Sequence, residues 1–237
     1  LRLMACEENN DLNVMNFSGM KVLQGIKQAN PGNQVIIFTA SSKSWNLKAL
    51  IDNGADDYYL KESPLFHFSK EESKENAKHL VKTIGYCYRR NYLRKSYKLV
   101  EGIKENINAS PRLNENNKKV TIAQLYMAFH QLLKITGTNN KNSFAYTFVA
   151  FEFVIPLLCK HLSAVGSNTP EKFEDLISTQ LATSDTKLIY DGKQMILARN
   201  AYMHGNKTAL KSNFSFVFHA EGILKILEVL DKVSQLL

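Results

Sequence analysis

A short run of β-branched residues, Val35-Ile36-Ile37-Phe38, constrains the fold of this 237-residue chain more than any other feature. It is too short for a helix, and its unbroken apolar character is typical of a strand buried on both faces of a parallel sheet. A helical stripe over residues 19–29 precedes it, and a second over residues 47–52 follows it. Another short strand is predicted at residues 57–60. This alternation predicts an α/β region with a parallel sheet.

The strand signal largely disappears after Pro64, and the rest of the chain reads as helices. Ser69 and Glu72 have the spacing of a capping box, and the helix that they open is predicted to reach about Asn106. Residues 213–218 alternate weakly and are predicted to be extended. Further helices are predicted at residues 121–135, 144–164, 170–181, 187–204 and 221–237. The sequence therefore predicts a partial α/β domain over residues 1–68, a connector helix and loop over 69–117, and an all-α bundle over 118–237.

Charge is unevenly distributed along the chain, whose net charge is +8. Residues 65–237 hold 24 basic against 15 acidic side chains, which suits a polyanionic partner such as RNA but also a solvated lysine-rich surface. No uninterrupted apolar run reaches the length that spans a membrane, and no signal peptide opens the chain. The three cysteines, Cys6, Cys87 and Cys159, lie far apart, without disulfide or zinc spacing. We expect a cytoplasmic protein that does not associate with a membrane.

Thr39 and Lys61 each end a predicted strand and lie 22 residues apart. Together with the segment Gly54-Ala55-Asp56-Asp57-Tyr58, they resemble the C-terminal half of a response-regulator receiver domain. The resemblance implies a truncated doubly wound, flavodoxin-like fold that retains only strands 3, 4 and 5 of the order 2-1-3-4-5. It also implies that the Thr39 hydroxyl moves toward the phosphoryl group after phosphorylation and that Lys61 contacts phosphoryl oxygens. The family usually has a proline directly after this lysine, whereas in this chain the proline after Lys61 is Pro64, two residues beyond that position.

The phosphoacceptor of this receiver-like region has two interpretations. Asp11 lies eight residues before Gly19, a spacing that some receivers show, but no apolar strand precedes it. We favour the alternative, in which the phosphoacceptor is an aspartate immediately before Leu1-Arg2-Leu3. We therefore expect a fragment that is not itself phosphorylated and holds no metal or other cofactor. For the intact receiver, the resemblance implies Mg²⁺ and a sensor histidine kinase as phosphodonor.

A second motif, Arg199-Asn200-Ala201-Tyr202-Met203-His204-Gly205, falls near the end of a predicted helix. It resembles the motif of the HEPN superfamily, which includes metal-independent ribonucleases and inactive dimerisation modules. The resemblance implies that Arg199 stabilises charge on the phosphate, His204 is the general acid or base, and Asn200 assists. Roughly 140° of rotation separates residues five positions apart on a helix, so Gly205 would have to end the helix for His204 to turn. The family pairs two such motifs across a cleft, which implies a homodimer.

Three output functions remain open at this point. The first is RNA cleavage by Arg199, Asn200 and His204. The second is a non-catalytic module for dimerisation or protein interaction, and the third is DNA binding, for which no helix-turn-helix pattern is visible. Glu152 lies on an apolar helix and either points into the cleft or is a satisfied buried polar group.

Overall fold

A computed structural model of the protein describes residues 18–39, 44–61, 67–135 and 141–237. The chain forms two compact units, the first ending at Arg94 and the second beginning at Lys95. The described part is mostly helical, with an α/β region followed by an all-α part, as the sequence predicts in outline. The division falls inside the predicted connector of residues 69–117, and the predicted domain bounds stay predictions.

The first unit contains the predicted strand–helix–strand alternation. Its elements are α1 Ser18–Ala29, β1 Ile36–Thr39, α2 Ser44–Asp52, β2 Asp57–Leu60 and α3 Lys70–Arg89. The strands β1 and β2 pair in parallel, with Ile36 opposite Asp57 and Thr39 opposite Leu60. After α2, Gly54 adopts a φ of +93°, the left-handed conformation that glycine takes without a Cβ penalty. The carboxyl ends of both strands therefore lie at one edge of the sheet.

A small apolar core holds α1, α2 and the two strands together. It is formed by Met20, Leu23, Val35, Ile37, Leu50 and Ala55. The described residues form a sheet of two strands, which fits an α/β region but is not a full flavodoxin-like fold. Residues 1–6 read as the remnant of a further strand, the first of the three that the resemblance retains, and they lie outside the described residues, as does Asp11.

The long helix predicted from Ser69 to about Asn106 is wrong, because two helices occupy this segment. The capping box is confirmed: Ser69 accepts from the Glu72 amide, and the Glu72 side chain accepts from the Ser69 amide. However, α3 ends at Arg89, and α4 covers Tyr92–Ala109. Arg90 caps α3 with a tightened last turn, and its guanidinium lies 3.5 Å from Asp56 and donates to Tyr86. These side-chain contacts favour an end to the helix at this point.

The second unit is helical. Its further α-helices are α5 Glu115–Leu133, α6 Lys141–Glu152, α7 Val154–His161, α8 Thr169–Asp175, α9 Thr186–Met203, α10 Lys207–Ser212 and α11 Ala220–Gln235. The helix α6 packs against α5, α9 and α11, and α8 packs against α9. Fully buried phenylalanines fill the interior, namely Phe129, Phe148, Phe151 and Phe173. A short 3₁₀ turn occupies Ser215–Phe218, so the extended segment predicted there is wrong.

The helix predicted at residues 144–164 is interrupted at Phe153. Pro156 has no amide hydrogen, so it cannot donate to the carbonyl of Glu152, and α6 ends there while Pro156 sits in the first turn of α7. The stretch Lys141–His161 is long and apolar enough to cross a membrane by length and composition, but 56% of its apolar window is buried inside the protein. Glu152 is thereby placed at a helix end within the bundle.

Candidate functional site

The carboxyl edge of the two strands brings Thr39 and Lys61 together. The Lys61 amide donates to the Thr39 carbonyl over 2.7 Å, immediately beyond the pairing of Thr39 with Leu60. Thr39 is buried, whereas Lys61 is exposed and places its ammonium 5.7 Å from the centre of the Phe38 ring. The main chains of Thr39 and Lys61 therefore lie next to each other at the carboxyl ends of the strands, and their roles toward a phosphoryl group stay predictions.

Mg²⁺, which the resemblance implies for an intact receiver, needs clustered oxygen ligands such as carboxylates. The described residues contain no group of three or more His, Cys, Asp or Glu side chains that would hold a metal ion. At the carboxyl edge, Thr39 and Lys61 supply a hydroxyl and a cation. These residues do not fit Mg²⁺ by themselves, so no chemical step here is assigned to a metal.

The opposite edge of the strands carries an ion network that the sequence analysis missed. Asp56 accepts from the Val35 amide at 2.8 Å and lies 3.1 Å from the Lys27 ammonium and 3.5 Å from the Arg90 guanidinium. The neighbouring Asp57 accepts from Thr83 at 2.6 Å. These bonds fasten α1 and α3 to the start of the strands.

Only part of this network is visible in the sequence. The Asp-Asp pair at the start of β2 is one signal, but the partners of Asp56 are 29 residues before it and 34 residues after it, so spacing alone does not reveal them. The role of Asp56 is structural, because its charge is paired with those of Lys27 and Arg90.

In the second unit, the candidate site begins with an ion pair between α9 and α6. The Arg199 Nε donates to Glu152 Oε2 over 3.0 Å. Glu152 is completely buried, and its Oε1 has no hydrogen-bond partner among the described residues. Burial raises the pKa of Glu152 to about 7, although the positive charge of Arg199 and its hydrogen bond oppose that rise. Glu152 is thus shielded from solvent, and one of its two carboxylate oxygens lacks a hydrogen bond within the described part of the chain.

The other two residues of the predicted site lie toward the end of α9. Asn200 is half-buried and His204 is exposed, and neither side chain makes a hydrogen bond within the described part of the chain. His204 caps α9, and Gly205 follows in the left-handed conformation with a φ of +65°, as the motif predicts for a helix end. The structure joins Arg199 to Glu152, and it leaves His204 in solvent at the end of the same helix.

Known proteins resemble the chain only in part. It is 43% identical over 53 residues to the nitrate/nitrite response regulator protein NarP of Escherichia coli (strain K12), a match that covers 22% of this chain and 25% of that protein. No family model matches the chain, and no solved structure matches it. The similarity indicates a response-regulator-like region, and it extends over about a quarter of the relative's length. The HEPN resemblance receives no support from these comparisons.

Proposed function

We propose that this chain is part of a two-component, response-regulator-like signalling protein in which the helical unit is the output module. The observation that supports the signalling role is the shared strand edge of Thr39 and Lys61, together with the partial similarity to NarP. In this proposal a sensor histidine kinase in the cytoplasm phosphorylates an aspartate of the receiver-like region, for which Asp11 is the candidate within this sequence. The phosphoryl group then attracts the Thr39 hydroxyl and the Lys61 ammonium.

We further propose that the helical unit cleaves RNA without a metal. The supporting observation is a partly exposed Arg199 followed by an exposed His204 at the end of α9. His204 takes the proton from a ribose 2′-hydroxyl, whose oxygen attacks the adjacent phosphorus. The 5′-oxygen of the next nucleotide leaves and receives the proton that the His204 imidazolium gives up. Arg199 stabilises the charge on the phosphoryl oxygens, and Asn200 orients the substrate. The products are a 2′,3′-cyclic phosphate and a 5′-hydroxyl, and a homodimer would complete the cleft.

The first prediction concerns cleavage of RNA in the presence of EDTA. We expect the protein to shorten a 5′-labelled RNA, and we expect His204→Ala to lower the rate by about 10²-fold or more because the general acid–base group is lost. His219→Ala is the matched control, since His219 is also exposed and lies in the same unit. Equal rates for the protein and His204→Ala, or loss of cleavage in both variants, would contradict the assignment.

A specific surface favours a second candidate, a non-catalytic output module that dimerises. Between Lys119 and Lys134, α5 has no formally charged side chain, and the facing α6 buries its single acid, Glu152. Met127 on α5 is 59% exposed, and Tyr146 on α6 is 65% exposed. A groove of about 550 Å³ runs between the two helices. The groove has one charged lining residue, Lys134, at its end. On a protein of net charge +8, a face with so few charges is suited to contact with a second copy, because little like-charge repulsion arises there.

The second prediction separates the two candidates by the surface that mediates dimerisation. Met127→Glu places a charge on the α5–α6 face, whereas Met203→Glu places one beside His204, and the two methionines are 59% and 60% exposed. For the ribonuclease, light scattering after size exclusion is expected to show a dimer that Met203→Glu converts to monomer. If only Met127→Glu does so, and RNA is not cleaved, the non-catalytic module is the correct function.

A further inference from the structure

Arg199 uses one edge of its guanidinium inside the protein and leaves the other edge without a partner. Its Nε donates to Glu152 over 3.0 Å, while its two terminal nitrogens make no hydrogen bond to any described residue. A quarter of the side chain is exposed. A guanidinium in this state retains donors that can bind two oxygens of one anion side by side.

The carboxylate that holds Arg199 is costly to maintain. Glu152 is wholly buried, only one of its oxygens is bonded, and a buried ion pair with a spare unbonded oxygen adds little to stability. An uncharged side chain of similar size would avoid this desolvation cost. The pair is therefore poorly explained by folding alone, whereas it fixes the position of an otherwise flexible arginine.

We propose that Glu152 is the positioning residue of Arg199, holding the Nε edge so that the terminal nitrogens are presented to a phosphate group of RNA. The choice of RNA as ligand rests on the proposed ribonuclease function. Glu152 does not touch the substrate; it acts by limiting the rotamers that Arg199 explores before binding, so that less side-chain freedom is lost on contact.

The surroundings of Glu152 give this role a recognisable pH signature. Arg199 faces it from α9, and Cys159 on α7 lies near enough to interact electrostatically. Burial raises the pKa of the Cys159 thiol to about 12, so this group stays neutral across the working range. Glu152, with a pKa of about 7, changes charge there. At pH 6 the protonated Glu152 is neutral, as glutamine is, and at pH 8 the ionised Glu152 forms the ion pair with Arg199.

The experiment measures binding separately from cleavage. The probe is a fluorescein-labelled oligoribonucleotide whose riboses are all 2′-O-methylated, so the attacking hydroxyl is blocked, and Kd is read by anisotropy at pH 8 and pH 6. At pH 8 we expect Glu152→Gln and Arg199→Ala each to raise Kd about tenfold, the scale of one lost charge-assisted contact. Glu174→Gln is the matched control, because Glu174 pairs with Lys193 at the surface, and its Kd should not change.

The ratio of the Kd of Glu152→Gln to that of the unsubstituted protein is the decisive number. It is expected to fall from about ten at pH 8 toward one at pH 6, since both proteins then carry a neutral side chain at position 152. A ratio of one at pH 8, or a ratio that does not change with pH, overturns the proposal. If Glu152→Gln does not fold, Arg199→Lys replaces it, and unchanged binding by that variant overturns the proposal as well.

Failure of the ribonuclease function gives a different result. If unmodified RNA is not cleaved but the probe shows the expected pH-dependent ratio, the enzyme is wrong and the positioning of Arg199 for phosphate binding stands. If Arg199→Ala binds the probe as tightly as the unsubstituted protein, Arg199 does not contact phosphate and both proposals fail.

Discussion

Glu152 is the residue with the clearest thermodynamic consequence, because its pKa of about 7 in the folded protein exceeds its usual 4.5. An acid whose pKa is higher in the folded state destabilises the fold once it ionises. The free energy of unfolding should therefore fall as pH rises from 4.5 to 7 and then level off, by about 3 kcal/mol in all. Urea unfolding at pH 5 and pH 8 checks this: Glu152→Gln should remove that loss, and parallel behaviour of both proteins would contradict it.

For some residues of the candidate sites, the position in the fold could be predicted from the sequence, and for others it could not. Thr39 and Lys61 were predictable, because each ends a strand and parallel strands end at one edge. Gly205 was predictable as the end of α9 from the backbone freedom of glycine. The bond between Arg199 and Glu152 was not, since 47 residues separate them and only packing of α6 against α9 brings them together.

At the scale of elements, apolar periodicity located most helices but not their interruptions. Pro156 explains the break between α6 and α7 and could have been read from the sequence, because the missing amide hydrogen affects the carbonyl four residues earlier. At the end of α3, Arg90 contacts Tyr86 one turn earlier and Asp56, 34 residues before it; the contact with Asp56 is tertiary and leaves no local pattern. The 3₁₀ turn at Ser215–Phe218 packs against α6 and α11, and such packing overrides a weak strand-like alternation.

The packing of α8 against α9 provides a prediction at this scale. A Cβ added at Gly192 would lie 1.9 Å from the Phe173 ring, and Phe173 is fully buried. Gly192→Ala should therefore destabilise the protein by about 1–3 kcal/mol or more through overpacking, despite the better helix propensity of alanine. Gly102→Ala in α4 is the matched control, because its Cβ would meet only Asp231 at 3.6 Å. Thermal melts of both variants measure the difference, and equal melting temperatures would contradict the close packing.

At the scale of the whole molecule, our proposals assign a different chemistry to each of the two compact units. In the first, the ends of the two strands at Thr39 and Lys61 are proposed to meet a phosphoryl group, and in the second, Arg199 and His204 are proposed to contact RNA phosphate. Composition gave only weak support for the proposed RNA contact, since the excess of basic residues over positions 65–237 also fits a solvated helical surface. The alternative of a dimerisation face with few charges depends on the groove between α5 and α6, which the sequence does not reveal.

The central claim is that the helical unit cleaves RNA through the ribose 2′-hydroxyl, and one substrate tests it directly. A DNA oligonucleotide with a single internal ribonucleotide offers one attacking hydroxyl and many phosphates. Incubated with the protein in EDTA, it should be cut once, on the 3′ side of the ribonucleotide, leaving a 2′,3′-cyclic phosphate that mass spectrometry identifies. Cleavage at deoxyribonucleotide positions, or no cleavage of this substrate and of all-RNA alike, would contradict the account.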